Sequence, residues 1–466
     1  MPEPRNLLVL LCDQLQPHCM SLYGGTVPTP AFDSVARRGA VFDRFYCATP
    51  MCVPTRGSMM TGRWPHQHGA ICNSDRRYAT LKPGEELLTD RLLDAGYHVG
   101  YEGIWHISRE PAEDRTGEYA HFASGRFPYV EQGEMLVALG RSPDEQRGPA
   151  VNHHDEGVEE TRISVPVPAT WTPGADSHPD AVRARAIAEF ITEAPDDRPF
   201  AVWCSLAGPH PPLLVPEPWM SMFDAAAMQP SPGLGESTDD LPRAVRESPG
   251  MQAVAGWSWD RWAPAAAAYY GYVAFVDHCQ GMVLDALERC GRLEDTVIIA
   301  STDHGEMLGA HNIYQKFVVY EPSARVPFII SAPGVEPGRR SQLACQVDIA
   351  PTVLELLGLR PMEDAWGESL APILLDADTP SRPFTFSEYN GWGKGGYHVR
   401  CAISQRYKYV YDHEDSDQLF DLQTDPDELV NLAADRTCAG VLAEHQAALA
   451  EWMHDTNDFV GPRFAG

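Results

Sequence analysis

Leu7-Leu8-Val9-Leu10-Leu11-Cys12-Asp13-Gln14 is a run of six apolar residues stopped by a carboxylate and an amide. Continuous apolarity without alternation predicts a strand buried on both faces, as in parallel sheets covered by helices on each side. Ligands of open α/β sheets gather beyond the carboxyl ends of the strands, so Asp13 and Gln14 stand where chemistry is expected. The pattern returns three times. Val99-Gly100-Tyr101 leads into Gly103-Ile104-Trp105-His106, the strand Pro199 to Cys204 is followed by Pro209-His210-Pro211, and Thr296 to Ser301 runs into Thr302-Asp303-His304-Gly305. A single polar residue after a strand is ordinary. Four strands ending in Asp13, His106, His210 and Asp303-His304 point to one shared site. The predicted class is α/β, with a large, mixed, mostly parallel sheet flanked by helices.

Helices are predicted from Thr29-Pro30, with Thr29 as cap, through Val35 to Arg38, then over Glu85 to Ala95, Trp262 to Cys290 and Asp348 to Leu357. Residues 108–180 and 212–249 show no helical or strand period and are read as insertions bordering the site. Beyond Leu374 the character changes. Arg406 to Tyr411 and Gln418 to Leu422 alternate like an antiparallel hairpin, and a last helix is expected over Cys438 to Trp452. The organisation predicted is a catalytic domain over 1–374 and a smaller sheet-and-helix subdomain over 375–466.

The formal net charge is −29, and the chain has only Lys82, Lys316, Lys394 and Lys408 as lysines, so arginine supplies most of the positive charge. Such a balance argues against nucleic acid, polyanions and acidic membranes as partners, though a local pocket can still favour a small anion. Eleven cysteines without paired spacing read as reduced thiols of a cytoplasmic protein. The run Asn6 to Cys12 is too short for a membrane span and carries no cleavage site, so no export signal is expected.

Met51-Cys52-Val53-Pro54-Thr55-Arg56-Gly57-Ser58-Met59-Met60-Thr61-Gly62 places a cysteine just before a short helix that opens with Pro54. A thiol there meets the positive end of a helix dipole and the cation of Arg56 one turn on. Asp13, Asp303, His304 and the residue at 52 offer oxygen, imidazole and position-52 ligands for a divalent cation, with Gln14 as a further oxygen donor. Asn73 is a candidate to point its amide into the same cleft.

The order Cys52-x-Pro54-x-Arg56 resembles the signature of the sulfatase family, with Thr55 where serine is usual. Asp303-His304-Gly305-Glu306-Met307-Leu308-Gly309 to Tyr320-Glu321, with Lys316 between them, follows the family pattern too. The likeness covers nearly the whole chain and implies an alkaline phosphatase-like fold. It implies that Cys52 is converted to formylglycine by a formylglycine-generating enzyme, and that the hydrated aldehyde attacks a small anionic ester. One metal would polarise the ester and stabilise the nucleophile. By resemblance His106 is the base for collapse of the intermediate, Arg56 holds the nucleophile, and His210 and Lys316 serve the leaving oxygen. Asn73 and Thr55 are expected on the substrate side. The Asp303-His304 pair resembles members like choline sulfatases and phosphonate monoester hydrolases. Its nitrogen ligand shifts the expected ion toward Mn2+, with Ca2+ or Mg2+ behind.

One departure bears on substrate. The family strand ends Gly-Lys-Trp-His, and Ile104 replaces that lysine, removing a cation from the anion pocket. A sulfate ester is the substrate expected first. A phosphodiesterase or phosphonate monoester hydrolase of the same superfamily is the alternative, and an unmodified, non-catalytic anion-binding homologue is the second. A homo-oligomer is compatible with the sequence.

Overall fold

The computed structural model describes residues 6–73, 77–124, 147–151, 161–391 and 397–463. Eight strands form the central sheet: β1 (Asn6–Asp13), β2 (Ala40–Phe42), β3 (His98–Gly103), β4 (His121–Ser124), β5 (Phe200–Pro209), β6 (Thr296–Thr302), β7 (Phe328–Ser331) and β8 (Gly338–Arg340). Their order is β8-β2-β7-β6-β1-β5-β3-β4. Only β7 runs against the rest, antiparallel to both β6 and β2.

β1 lies at the centre, as its apolar run predicts. Leu7, Val9 and Leu11 belong to the core on one face, and Leu8, Leu10 and Cys12 to the core on the other. That split is the two-residue period of a strand covered on both sides. One face is covered by α1 (Pro30–Ala36), α3 (Pro179–Glu193) and the long α4 (Trp259–Arg289). The other carries α2 (Cys52–Thr61) and α5 (Ile349–Leu356). Register sets the site: Leu11 pairs with Ser205 on one side and Ser301 on the other, while Gly103 of β3 pairs with Ser205. The carboxyl ends of β1, β3 and β6 therefore finish at one edge.

The C-terminal part is an antiparallel meander, β9 (Thr385–Tyr389), β10 (Val399–Ile403), β11 (Tyr407–Asp412) and β12 (Gln418–Asp421), followed by α6 (Ala439–Asp455). The expected hairpin is β11 and β12. A cluster of Tyr409, Leu419, Leu449 and Trp452 from this part with Ala48, Trp64 and Val347 from the larger one fastens the two together. All eleven cysteines are free. Among the described residues no helix is long and apolar enough to cross a membrane.

Three expectations need correction. Residues 108–180 are more than an insertion, because β4 within them pairs in parallel with β3 as the edge of the main sheet. This edge strand is short and half-buried, so it has no apolar run to announce it. The stretches 125–146 and 152–160 lie outside the described residues. Residues 212–249 include a short strand, Leu214–Pro216, paired with Ala169–Trp171, and a helical turn at Arg243–Arg246. The cap expected of Thr29 comes from elsewhere: its side chain makes no cap hydrogen bond, and the Asp277 carboxylate accepts from Ala31 N and Phe32 N, both at 3.0 Å.

Candidate active site

Cys52 is the first residue of α2, two positions before Pro54, and Met51 precedes it in extended conformation. The Val53 N–H at this end donates to Asn73 Oδ1 at 3.0 Å, so Asn73 caps the helix. Gly62 ends it in the left-handed region, φ 67°, where a side chain would be strained. One turn in, Arg56 is buried, and its guanidinium is fully occupied. Nε and Nη2 reach Asp303 Oδ2 at 3.0 and 2.9 Å, Nη2 reaches Asp13 Oδ2 at 3.2 Å, and Nη1 donates to Ile104 O at 2.6 Å and Ser205 Oγ at 2.8 Å. The planar fork thus ties the ends of β1 and β6 to the segment following β3.

Asp13, Cys52, Asp303 and His304 present ligand atoms within 4.8 Å of one another, all buried. His304 Nδ1 lies 3.0 Å from Gly305 O, which fixes the proton there and leaves the Nε2 lone pair facing the cluster. Nε2 is 3.1 Å from Cys52 Sγ and 3.7 Å from both Asp13 Oδ1 and Asp303 Oδ1. Asp13 Oδ1 is buried with no hydrogen-bond partner. An orphaned carboxylate oxygen beside an imidazole lone pair is a donor set that fits a divalent cation.

Electrostatics agree. Burial and then the Asp303 charge push the Asp13 carboxyl up to about 7, while Asp303 goes down: burial opposes this, but its neighbours prevail, the adjacent His304 and then the Arg56 and Lys316 cations and the Gln14 N–H. Two carboxylates sharing one guanidinium cannot both be comfortable. Burial also lowers His304 to about 3, keeping its ring neutral. Burial and then the Asp13 charge raise the Cys52 thiol to about 12, so burial and the carboxylates together outweigh the cations of Lys316 and Arg56 and hold it as a thiol.

Lys316 lies within the site despite the chain's acidity. It is buried and donates to Gln14 Oε1 at 2.9 Å and to Cys52 Sγ at 3.2 Å. Burial disfavours its charge, but Cys52, Asp13 and Asp303 outweigh this and raise its pKa. His210 follows β5 with Nδ1 2.8 Å from Pro211 O, and burial together with the Lys316 charge lowers its pKa well below the usual value. His106 is half-buried beyond β3 in the left-handed region, φ 55°.

Thr55 has a different place from the substrate side expected of it. It is fully buried and donates to Gln346 Oε1, while Gln346 Nε2 donates to Thr302 O at 2.9 Å and Asp303 O at 2.7 Å. Its hydroxyl braces the turn that carries Asp303. Ile104 is wholly buried, yet it belongs to none of the apolar clusters. Sequence reasoning missed Ser205, Gln346 and Glu306. Only Glu306 had a signal, its place two residues after His304.

The sulfatase family profile matches residues 5–359, and a profile described as N-sulphoglucosamine sulphohydrolase, C-terminal, matches 309–455. An arylsulfatase of Clostridium perfringens is 27% identical over 448 residues, covering 92% of this chain and 90% of that protein. A choline-sulfatase of Rhizobium meliloti is 26% identical over 450 residues, 92% of this chain and 82% of that one. The phosphonate monoester hydrolase of Agrobacterium radiobacter has the same fold, with a TM-score of 0.82 at 24% identity over 97% of this chain and 96% of that chain. The chain belongs to the sulfatase family of sulfuric-ester hydrolases, within the alkaline phosphatase superfamily.

Proposed function

We propose that this protein hydrolyses a small or aryl sulfate ester, using formylglycine made from Cys52 and one divalent cation held by Asp13, Gln14, Asp303, His304 and residue 52. The observation that carries the reading is the orphaned Asp13 Oδ1 facing the His304 Nε2 lone pair beside Cys52. The cation supplies charge that polarises the ester, and formylglycine hydrate supplies one hydroxyl for attack and a second for collapse. The chain's own residues do the rest. Arg56 holds Asp13 and Asp303 in place beneath residue 52, and Lys316, 3.2 Å from Cys52 Sγ, places a cation against the ester's charge. His210, kept neutral by its surroundings, and Lys316 serve the leaving oxygen, and His106 takes the proton when the intermediate collapses. Asn73 holds the end of α2 that presents residue 52.

Hydrolysis of phosphodiesters or phosphonate monoesters is the second reading: Ile104 is as compatible with them as with sulfate esters, since all carry one negative charge, and it disfavours only the phosphate monoester dianion. Peptide mass spectrometry at residue 52, after production with a formylglycine-generating enzyme, tests the mechanism. Formylglycine is expected, with no turnover in Cys52→Ala or after chelation. Full activity with an unmodified cysteine overturns it. A comparison of kcat/KM for 4-nitrophenyl sulfate, bis-4-nitrophenyl phosphate, a phenylphosphonate monoester and 4-nitrophenyl phosphate ranks the substrates, and a leading diester or phosphonate replaces the first reading with the second.

A further inference from the structure

Gln14, just past β1, has φ 69°, a conformation that a side chain disfavours and that persists where the surroundings over-determine it. Its polar groups are engaged at both ends. The backbone N–H donates to Asp303 Oδ1 at 3.1 Å, and the carbonyl accepts from the Tyr269 hydroxyl at 2.7 Å. In the side chain, Oε1 accepts from Lys316 Nζ at 2.9 Å and Nε2 donates to Glu306 Oε2. Glu306 is itself buried, and its other oxygen accepts from Leu308 N at 2.7 Å and Gln315 N at 2.8 Å. A turn of backbone therefore fixes the carboxylate.

The two ends of an amide are not interchangeable. A carboxylate only accepts and an ammonium only donates, so these partners permit one orientation, nitrogen toward Glu306 and oxygen toward Lys316. We propose that Glu306 is a positioning residue that sets the Gln14 amide so that its oxygen faces the cation site and Lys316. This rests on reading Asp13, Gln14, Asp303 and His304 as cation ligands, but it requires neither turnover nor formylglycine.

The test is titration of chelator-stripped, full-length protein with Mn2+, comparing the unaltered chain, Glu306→Gln, Gln14→Glu and the double variant. In Glu306→Gln the new side chain keeps its oxygen on Leu308 N and Gln315 N and turns its NH2 toward Gln14, so the Gln14 amide reverses and presents nitrogen to the cation. Mn2+ binding is expected to weaken by about tenfold or more, the scale of losing a group that orients a ligand. In the double variant residue 14 offers oxygen at both ends, and binding should return to within about threefold of the unaltered protein. A structural role alone predicts no such rescue. The proposal is overturned if Glu306→Gln binds Mn2+ as the unaltered protein does, or if Gln14→Glu changes binding by the same factor in both backgrounds. Should Glu306→Gln alone not fold, the double variant decides: folding with Mn2+ bound supports the proposal, and failure to fold or to bind overturns it. An unaltered protein that does not bind Mn2+ overturns the cation reading itself, an outcome distinct from the others.

Discussion

Ile104 follows β3, wholly buried, and its backbone is bonded to the same Arg56 that holds Asp13 and Asp303. Its N–H donates to Ser205 O at 3.0 Å, and its carbonyl accepts from Arg56 Nη1 at 2.6 Å, Tyr101 Oη at 2.5 Å and Ser205 Oγ at 2.9 Å, so the backbone here is fixed whatever the side chain. In the site, Arg56 and Lys316 face Asp13 and Asp303, two cations against two carboxylates. A lysine at 104 would add a third cation at low dielectric and favour dianions over monoanions. One charged contact contributes roughly 1.5–3 kcal/mol, which corresponds to tenfold or more in rate. Ile104→Lys is therefore expected to raise kcat/KM for 4-nitrophenyl phosphate relative to 4-nitrophenyl sulfate by about tenfold. An unchanged or lowered ratio would show that this position does not set substrate charge.

At the scale of elements, α4 does more than cover the sheet, because its Asp277 closes the first turn of α1. A seven-residue helix has little stability of its own, and its free N–H groups need acceptors. Asp277→Ala should cost about 1–2 kcal/mol in urea unfolding. Burial raises the folded-state pKa of Asp277 to about 7, despite the two N–H groups it accepts. Between the unfolded pKa and about 7 the folded state holds a proton that the unfolded chain has shed. The stability from this group is thus complete at acid pH and is lost as pH rises through about 7. The fall in Tm between about pH 5 and pH 8 should be smaller in Asp277→Asn than in the unaltered protein; an equal fall would remove Asp277 as its source.

Over the whole molecule, the meander and the segment between β6 and β7 meet at a buried charge cluster. Lys408 of β11 is fully buried, 2.6 Å from Glu321 Oε1 and 2.8 Å from Glu428 Oε1, and donates to Val319 O at 3.1 Å. Burial opposes its charge, but the two carboxylates win and hold Lys408 as an ammonium. Removing the cation strands two carboxylates in the interior. Lys408→Met should destabilise by about 3–5 kcal/mol, and adding Glu428→Gln should recover part of the loss. Urea unfolding of the three variants checks this, and additive costs in the double variant would show that the charges do not act as a unit.

The sequence by itself determined what is local: the buried strands, the polar residues at their ends, the Cys52 helix with Arg56 one turn in, and the change of character before the meander. Each is legible because period and composition are properties of neighbours in the chain. Lys316 was legible for another reason, being one of few lysines and following Asp303-His304-Gly305. The tertiary structure alone decided which partners complete these residues. Glu306 meets Gln14 across 292 residues, Gln346 meets Thr55 across 291, and Asp277 meets Ala31 across 246. It also decided that the Cys52 thiol is raised rather than lowered, since the helix end is visible in sequence but the burial and the opposing carboxylates are not. Hydrogen bonds and charge act over ångströms in space, and only the sheet's register brings these residues that close.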